Sequence, residues 1–133
     1  PMLGMFNSSQ WAHDMDNAAN KKFVADFQKE FGRLPTLYAA QAYDAAMLMD
    51  AAVRDVKGNL DNKEGVRKAL EAAKFNSVRG PFRFGKNHYP VQDYYLRVVT
   101  KDSQGRITNR TLSPIFKNHG DAYVGDCKMA AAS

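Results

Sequence analysis

The sequence lacks the signatures of several large protein classes. It has no apolar run near the ~18–20 residues that a membrane span requires. G-x-S-x-G, P-loop and G-x-G-x-x-G motifs are absent, which removes the common hydrolase and nucleotide-binding signatures. The first residues, PMLGMFNSSQW, show no basic segment followed by a hydrophobic stretch, so no signal peptide is visible. A chain that starts downstream of its leader would look the same, so this absence does not indicate a compartment.

Cysteine is nearly absent, and this limits metal and thiol chemistry. The motif His13-Asp14-x-Asp16 has no accompanying CxxC pair, and the two other histidines, His88 and His119, lie in distant turn-like segments, so the motif is predicted to be a loop and helix cap rather than a metal site. The only cysteine, Cys127, has no basic neighbour except Lys128 and no predicted helix N-terminus to lower its pKa, so a catalytic thiol is not expected. Cys127 is either a bystander thiol or, in an exported protein, the partner of a cysteine elsewhere in a longer chain.

Basic residues outnumber acidic ones, with a net charge of +5 and a pI of about 9.4. Such a balance raises nucleic acid as a partner. The lysines and arginines are scattered, however, and the densest group is the short segment Arg79–Lys86. No RNP-like, C-x₂-C or basic-helix signature accompanies them. The charge therefore indicates a solvated basic surface, and no nucleic-acid partner is predicted.

Three helices are predicted in the first part of the chain. The first runs from about Asn17 to Phe31, with Gly32 at its left-handed end. Its apolar stripe is Phe23, Val24, Phe27 and Phe31. The second runs from the cap at Thr36 to about Val56 and has so little charge that we expect it to be buried on most sides. The third, about Lys63 to Ala73, is predicted to start at a capping box of Asp61 and Glu64.

Strands are predicted at both ends of the chain. Residues 1–6 form a short apolar run that ends at polar residues, which indicates a buried strand. Phe82 to Phe84 alternates, and the segment from Asp93 to Thr100 is rich in β-formers, with Tyr94, Leu96 and Val98 expected on one face. The polar segment 101–106 is a turn, and Ile107 to Leu112 returns to complete a hairpin. No parallel strands lie between the helices, so the sheet that a buried helix requires is missing.

Four segments resemble one protein family in their order and spacing. They are GMFNSSQW, NKKFVADFQKEFGRLP, YAAQAYDA, and GPFRF followed by DYYLRVV. They are similar to the periplasmic solute-binding proteins of bacterial ABC importers, in the branched-chain amino acid (Leu/Ile/Val-binding-protein-like) family. The resemblance covers roughly Pro1 to Val99 and only the last third of such proteins. It therefore identifies the chain as a C-terminal fragment.

The resemblance implies an α/β fold that is the C-terminal portion of a two-lobe type I periplasmic binding protein, with three helices, crossing strands and a hairpin. Residues 1–7 would be the last strand of lobe 2. Residues 8–91 would be the C-terminal helical part of lobe 1 with the hinge crossings. Residues 92–133 would return to lobe 2 and form the C-terminal tail.

The same resemblance implies a function. Members of the family catalyse nothing and use no cofactor or metal. They hold a small ligand between two lobes, and the closed form is read by a membrane permease. The expected location is the periplasm, with a signal peptide in the precursor. The expected partners are a small-molecule ligand, the ABC transporter permease and the missing N-terminal part of the same protein. The rival hypothesis is an autonomous small α+β interaction domain without a small-molecule ligand.

The resemblance points to four ligand-binding residues. Arg33, Leu34 and Tyr38 lie near the start of the YAA helix, where the family contributes a cleft contact. Trp11 lies near the hinge, and its sequence context permits either a cap over the core or a platform for ligand. Arg33 stands where amino-acid binders have an apolar residue. Because guanidinium binds carboxylate bidentately, Arg33 beside aromatic residues favours an aromatic acid or another small carboxylate over branched-chain amino acids.

Overall fold

The computed structural model describes residues 2–129, in which a short strand is followed by three helices and a three-stranded antiparallel segment. The elements are β1 (Phe6–Ser9), α1 (Ala18–Phe31), α2 (Leu37–Asp55), α3 (Lys63–Ala72), β2 (Phe82–Phe84), β3 (Pro90–Lys101), β4 (Ile107–His119) and a 3₁₀ turn (Val124–Asp126). Among these residues no helix is both long and apolar enough to cross a membrane. The mixed α/β class with three helices and a hairpin is as predicted.

Each helix starts at a side chain that accepts from its first turn. Asn17 caps α1 by accepting from the backbone N–H of Asn20 at 2.8 Å, and Thr36 caps α2 by accepting from Ala39. The cap of α3 was predicted one residue too early. Asn62 rather than Asp61 accepts from the backbone N–H of Gly65, at 3.0 Å. Glu64 is therefore not part of a capping box and instead binds Arg67.

The core lies between α1, the first half of α2 and the segments that flank them. Trp11, Phe23 and Val78 are buried there, and the rings of Phe23 and Tyr43 lie 4.7 Å apart, which ties α1 to α2. Aromatic pairs at such distances contribute beyond the area they bury. The apolar stripe predicted for α1 therefore faces this core through Phe23, although Phe31 at its end is exposed.

Helix α2 is buried on one side only, which corrects the expectation that most of its surface is covered. Its buried residues are Ala40, Asp44 and Ala52. The opposite side carries exposed residues at helical spacing, Tyr38, Ala42, Ala45, Met49 and Val53, which we call the α2 stripe. An apolar helix face that is exposed to water marks a surface that another element covers. In residues 2–129 the stripe is accessible to solvent.

Strand β3 organises the sheet. It pairs antiparallel with β1 through Tyr95 to Val98, with β2 through Pro90 to Gln92, and with β4 along most of its length. Three register shifts in the β3–β4 pairing change which side chains share a face. Tyr95 packs on the helical core, and the residues that alternate with it along β3, Tyr94, Leu96 and Val98, lie on the other face of the strand.

Two strand predictions require correction. The first strand covers Phe6–Ser9 rather than residues 1–6, of which Pro1 lies outside the described residues. Its polar side chains are satisfied, because the Asn7 amide bonds to Asn109 and Arg97, so polarity does not end the strand. Strand β4 continues past Leu112 to His119, because pairing with β3 supplies its backbone hydrogen bonds where the side-chain pattern fades.

The α2 stripe predicts that the isolated chain associates with itself. Replacing Met49 and Val53 with Glu places two negative charges in the expected interface between two copies of the chain. Each buried Met or Val contributes roughly 1.5–3 kcal/mol, so we expect self-association to weaken more than about tenfold. Sedimentation velocity over a concentration series measures the effect.

The matched control is the pair Ala18→Glu and Ala25→Glu, which adds the same charges at exposed positions of α1. A wild-type chain that stays monomeric at all concentrations, or a control pair that dissociates the chain equally, contradicts the prediction.

Candidate functional site

Arg33, Leu34 and Tyr38 lie together at one end of the helical layer. Helix α1 ends at Gly32, whose left-handed φ of 65° turns the chain sharply and whose N–H donates to the Gln28 carbonyl. The guanidinium carbon of Arg33 then lies 5.2 Å from the centre of the Phe27 ring. Tyr38, in the first turn of α2, is 79% exposed. This end of the layer therefore presents a positive charge and an aromatic ring to solvent.

Trp11 lies apart from these three residues. It is only 3% exposed and belongs to the buried cluster that includes Phe23 and Ala40. Tyr38 and Ala40 are two residues apart, or about 200° around the helix. Because Ala40 faces the core, Tyr38 points to the opposite side of α2 from Trp11. Of the two roles left open for Trp11, the structure shows the cap over the core, and the ligand contact stays a prediction.

Asn20 fixes the indole of Trp11 and the loop beside it. It is completely buried, and its Oδ1 accepts from Trp11 Nε1 at 2.7 Å. Its amide nitrogen donates to the carbonyls of Ala12, His13 and Met15 at 3.1–3.3 Å. One side chain thus pairs the indole N–H and adds a bond to three loop carbonyls, of which Ala12 and Met15 also accept from the backbone N–H groups of Met15 and Asn17. Nothing in the sequence pattern marked Asn20, which reads as an ordinary polar residue of α1.

Polar contacts hold the segment after β1 against β3 and β4. Arg97 on β3 donates to Asn7 Oδ1 and to the carbonyl of Trp11, both at 2.8 Å. Partial burial lowers the pKa of Arg97, and the nearby Asp14 carboxylate opposes that shift. Asp14 accepts from the backbone N–H and the hydroxyl of Thr111 at 2.9 and 2.7 Å. The segment after β1 is therefore joined to β3 and β4 by side chains as well as by the strand pairing of β1.

Two surface depressions flank the start of α1. The smaller, about 380 Å³, lies between Asp14, Tyr95 and Thr111, and its lining contains no Arg, Lys or His. Burial, together with the Asp93 carboxylate, raises the pKa of Tyr95, so this phenol stays neutral well into the alkaline range. The larger, about 690 Å³, has Lys22 as its only basic lining residue, and Lys22 is paired with Asp26. Neither depression offers a free cation for a carboxylate ligand.

Each residue of the His13-Asp14-x-Asp16 motif contacts another side chain of the protein. The His13 ring lies 3.4 Å from the Thr108 hydroxyl, Asp14 binds Thr111, and Asp16 pairs with Lys21. Within residues 2–129 no group of three or more His, Cys, Asp or Glu side chains is arranged to hold a metal ion.

Comparison with known proteins identifies the fold. Residues 1–105 match the sequence model of the periplasmic binding proteins. The chain belongs to this periplasmic binding protein family. A solute-binding protein of an ABC transporter from R. palustris, solved in complex with benzoate, is 33% identical, with a TM-score of 0.84 over 96% of this chain and 34% of that one. Another from Rhodopseudomonas palustris BisB5, in complex with 3,4-dihydroxybenzoic acid, is 28% identical, with a TM-score of 0.81 over 95% of this chain and 34% of that one.

A curated relative of this periplasmic binding protein chain is a Leu/Ile/Val-binding protein homologue of Brucella abortus. It is 27% identical over 122 residues, which cover 90% of this chain and 31% of the relative. The chain thus spans about a third of the length of the proteins it matches. The predicted family and the predicted type I fold class are confirmed.

A buried charge network lies on the core-facing side of α2, opposite to Tyr38. It was not predicted from the sequence. Asp44, the only charge in the first half of α2, is 1% exposed and accepts from Ser77, Val78 and Arg79. Arg79 also donates to Gln92 on β3 at 3.0 Å. A lone Asp in an apolar helix does signal a buried partner, because an unpaired buried charge is costly. Which arginine pairs with it is decided by tertiary packing, 35 residues away along the chain.

Replacing Asn20 with Ala tests the support under Trp11. The change removes the partner of the buried indole N–H and one donor to the His13 carbonyl, while the carbonyls of Ala12 and Met15 keep backbone donors. We therefore expect a loss of about 2 kcal/mol in the free energy of unfolding. Urea unfolding followed by the fluorescence of Trp11, the sole tryptophan, measures this.

Asn59→Ala is the matched control, since Asn59 is exposed, and it should change the free energy of unfolding by less than about 0.5 kcal/mol. Equal losses from both variants would show that the Asn20 hydrogen bonds contribute little.

Proposed function

We propose that the whole protein of which this chain is a part is a non-enzymatic solute-binding protein of an ABC importer, located in the periplasm. It captures a small carboxylate between two lobes and delivers it to the membrane permease. The observation that carries this proposal is the close match of the chain, helices and crossing strands together, to solute-binding proteins of ABC transporters. Both of these neighbours were solved with an aromatic acid bound.

The proposed lobe assignment divides the chain into residues 1–7, 8–91 and 92–133. One boundary falls between Asn7 and Ser8 in β1, which pairs with β3 at Tyr95 to Val98. The other falls between Val91 and Gln92 in β3, where β3 pairs with β2. Two paired strands that run between lobes form a short hinge, which lets the lobes rotate while the ladder is kept. The side-chain bonds from Arg97 to the first crossing support this assignment, since they hold both crossings together.

The proposed ligand is an aromatic acid or another small carboxylate. Arg33 is exposed beside the Phe27 ring, and Tyr38 is exposed one helical turn further on. A guanidinium binds a carboxylate through two parallel hydrogen bonds, and an aromatic side chain packs against a benzene ring. Leu34, which follows Arg33 and is half-buried, supplies an apolar side chain to the same segment. The missing upstream residues provide the opposite wall, because a cleft site encloses most of its ligand.

Trp11 has a different part in the proposed site. The indole is 3% exposed and its N–H donates to Asn20. Its proposed contribution is therefore indirect, by holding the segment after β1 against α1.

An affinity measurement on the full-length protein tests this proposal. Calorimetric titration with benzoate and with leucine should show binding of the aromatic acid and recovery of unchanged ligand. Loss of a charge-assisted hydrogen-bonded contact costs about 1.5–3 kcal/mol, so Arg33→Ala should weaken benzoate binding roughly 10–100-fold.

Arg54→Ala is the matched control, because Arg54 lies on the same helix layer, four turns beyond Tyr38, and pairs only with exposed Asp50. It should leave the affinity for benzoate unchanged. Leucine binding with no response to Arg33→Ala would overturn the carboxylate assignment of Arg33, and turnover of ligand would overturn the non-enzymatic reading.

A further inference from the structure

Three basic side chains lie together at the open end of the β3–β4 hairpin, away from its turn. Arg83 of β2, Lys86 of the β2–β3 turn and Lys117 near the end of β4 line one surface depression of about 480 Å³. The ion pairs found among residues 2–129 include none of these three side chains. The depression therefore presents three positive charges that no acidic side chain of this part of the chain compensates.

Asp121 is the one acidic residue in the lining of this depression. Its two carboxylate oxygens accept from neutral groups, Asn87 Nδ2 at 2.8 Å and the Tyr123 backbone N–H at 3.0 Å. Asp121 thereby joins the β2–β3 turn to the segment that follows β4. Three positive charges less one negative charge give the lining a net charge of +2, with His119 counted as neutral. Such a surface attracts an anion.

The backbone on both sides of the depression is held in defined conformations. His88 in the β2–β3 turn and Asn118 in β4 have φ values of 58° and 52°, in the left-handed region that side-chain-bearing residues seldom adopt. The Asn118 N–H donates to Asp93 at 2.8 Å, which fixes one of them. A Cβ atom on Gly120 would lie only 3.2 Å from Val91, so glycine permits this close approach. Unusual backbone conformations of this kind occur preferentially where ligands bind.

A second, aromatic depression adjoins the basic one. It measures about 370 Å³, is lined by Tyr89, Tyr94 and Phe116, and shares residues 119–122 with its basic neighbour. The His119 ring stacks on Phe116 with ring centres 4.9 Å apart, and it meets Tyr94 edge-on at 5.7 Å. Phe116 is nevertheless 53% exposed. An accessible aromatic surface therefore lies directly beside the three uncompensated cations.

We propose that this open end of the hairpin is a binding site for a small aromatic anion. Its charged group lies among Arg83, Lys86 and Lys117, and its ring packs on Phe116. A phosphate monoester, with about −1.5 to −2 charges at neutral pH, suits three cations better than a singly charged carboxylate does. The site shares no residue with the ligand contacts proposed around Arg33, so it goes beyond the proposed function and does not depend on it.

Calorimetric titration of the full-length protein with three probes tests the proposal. Phenyl phosphate carries both the ring and the charge, inorganic phosphate only the charge, and benzyl alcohol only the ring. The double variant Lys86→Gln with Lys117→Gln removes two of the cations. Lys29→Gln with Lys101→Gln, at exposed positions of α1 and β3, is the matched control. Phe116→Leu removes the ring and keeps an apolar side chain, and urea unfolding of each variant is measured alongside.

We expect one phenyl phosphate to bind per chain, more tightly than either of the other probes and more weakly as salt is added. Exposed ion pairs are individually modest, so the Lys86 and Lys117 double variant should raise the Kd of phenyl phosphate and of inorganic phosphate about 2–30-fold. Phe116→Leu should raise the Kd of phenyl phosphate about 2–10-fold and leave that of inorganic phosphate unchanged. The control pair should change neither.

Three results would overturn the proposal. They are the absence of phenyl phosphate binding, equal weakening by the control pair, and a lower free energy of unfolding of the Lys86 and Lys117 double variant with an unchanged Kd. The last result would mean that the rest of the protein covers this surface.

Arg33→Ala separates this site from the proposed function. The Kd of phenyl phosphate should be the same in this variant as in the wild type, and loss of phenyl phosphate binding would place the probe at Arg33 and contradict the second site. A protein that binds phenyl phosphate at the open end of the hairpin but binds neither benzoate nor leucine would contradict the proposed function alone.

Discussion

A carboxylate buried on an apolar helix needs hydrogen-bond donors and an opposite charge beside it. The donors to Asp44 come from a part of the chain that is distant in sequence, so the carboxylate joins the two parts. Asp44 receives one hydroxyl, one backbone N–H and one guanidinium, so its charge is compensated without water. Removing one partner of a buried pair typically costs about 3–5 kcal/mol, because the other charge is left buried and alone. The segment around Val78 has no regular secondary structure of its own, and this network gives it one fixed position. The orientation of α2 relative to β3 follows from that position.

A second polar centre, around Asn20, lies on the side of the core formed by α1 and the segment after β1. Asn20 satisfies Trp11 and the carbonyls of the loop that follows it, and Arg97 ties that loop to β3. Among the described residues no buried side-chain nitrogen or oxygen lacks a partner. The small apolar core is thus flanked by two fully satisfied polar centres, one around Asn20 and one around Asp44. Such networks define a single packing arrangement, because every alternative leaves a buried group unpaired.

Much of the fold was predictable from local patterns. The helix positions followed from the aromatic stripe of α1, the cap at Thr36 and the stop at Gly32, all of which are decided within a few residues. The hairpin followed from the β-rich run and the polar turn. The strand Phe6–Ser9 and the extension of β4 to His119 were missed, since both depend on pairing with β3 rather than on their own side chains.

The candidate site was less accessible to sequence reasoning. Arg33 and Tyr38 are close in sequence, between the end of α1 and the first turn of α2, and their role in ligand binding stays a prediction. Trp11 and Tyr38 lie on opposite sides of α2 because Ala40 faces the core and Tyr38 does not. The sequence pattern of α2, apolar on most sides, does not show which face meets the core. The partnership of Asp44 with Arg79 and Gln92 depends on contacts across 35 and 13 residues, and a single sequence carries no signal for such contacts.

Hydrogen exchange at the backbone amide of Val78 tests the central claim most directly. This amide donates to Asp44 Oδ1 at 2.9 Å and lies outside the helices and strands. If the Asp44 network holds the molecule together, the amide exchanges only when the whole chain unfolds, with the same free energy as global unfolding, and Asp44→Ala, which removes the acceptor, removes that protection. Exchange of the Val78 amide as fast as that of the exposed Asn76 nearby would contradict the account.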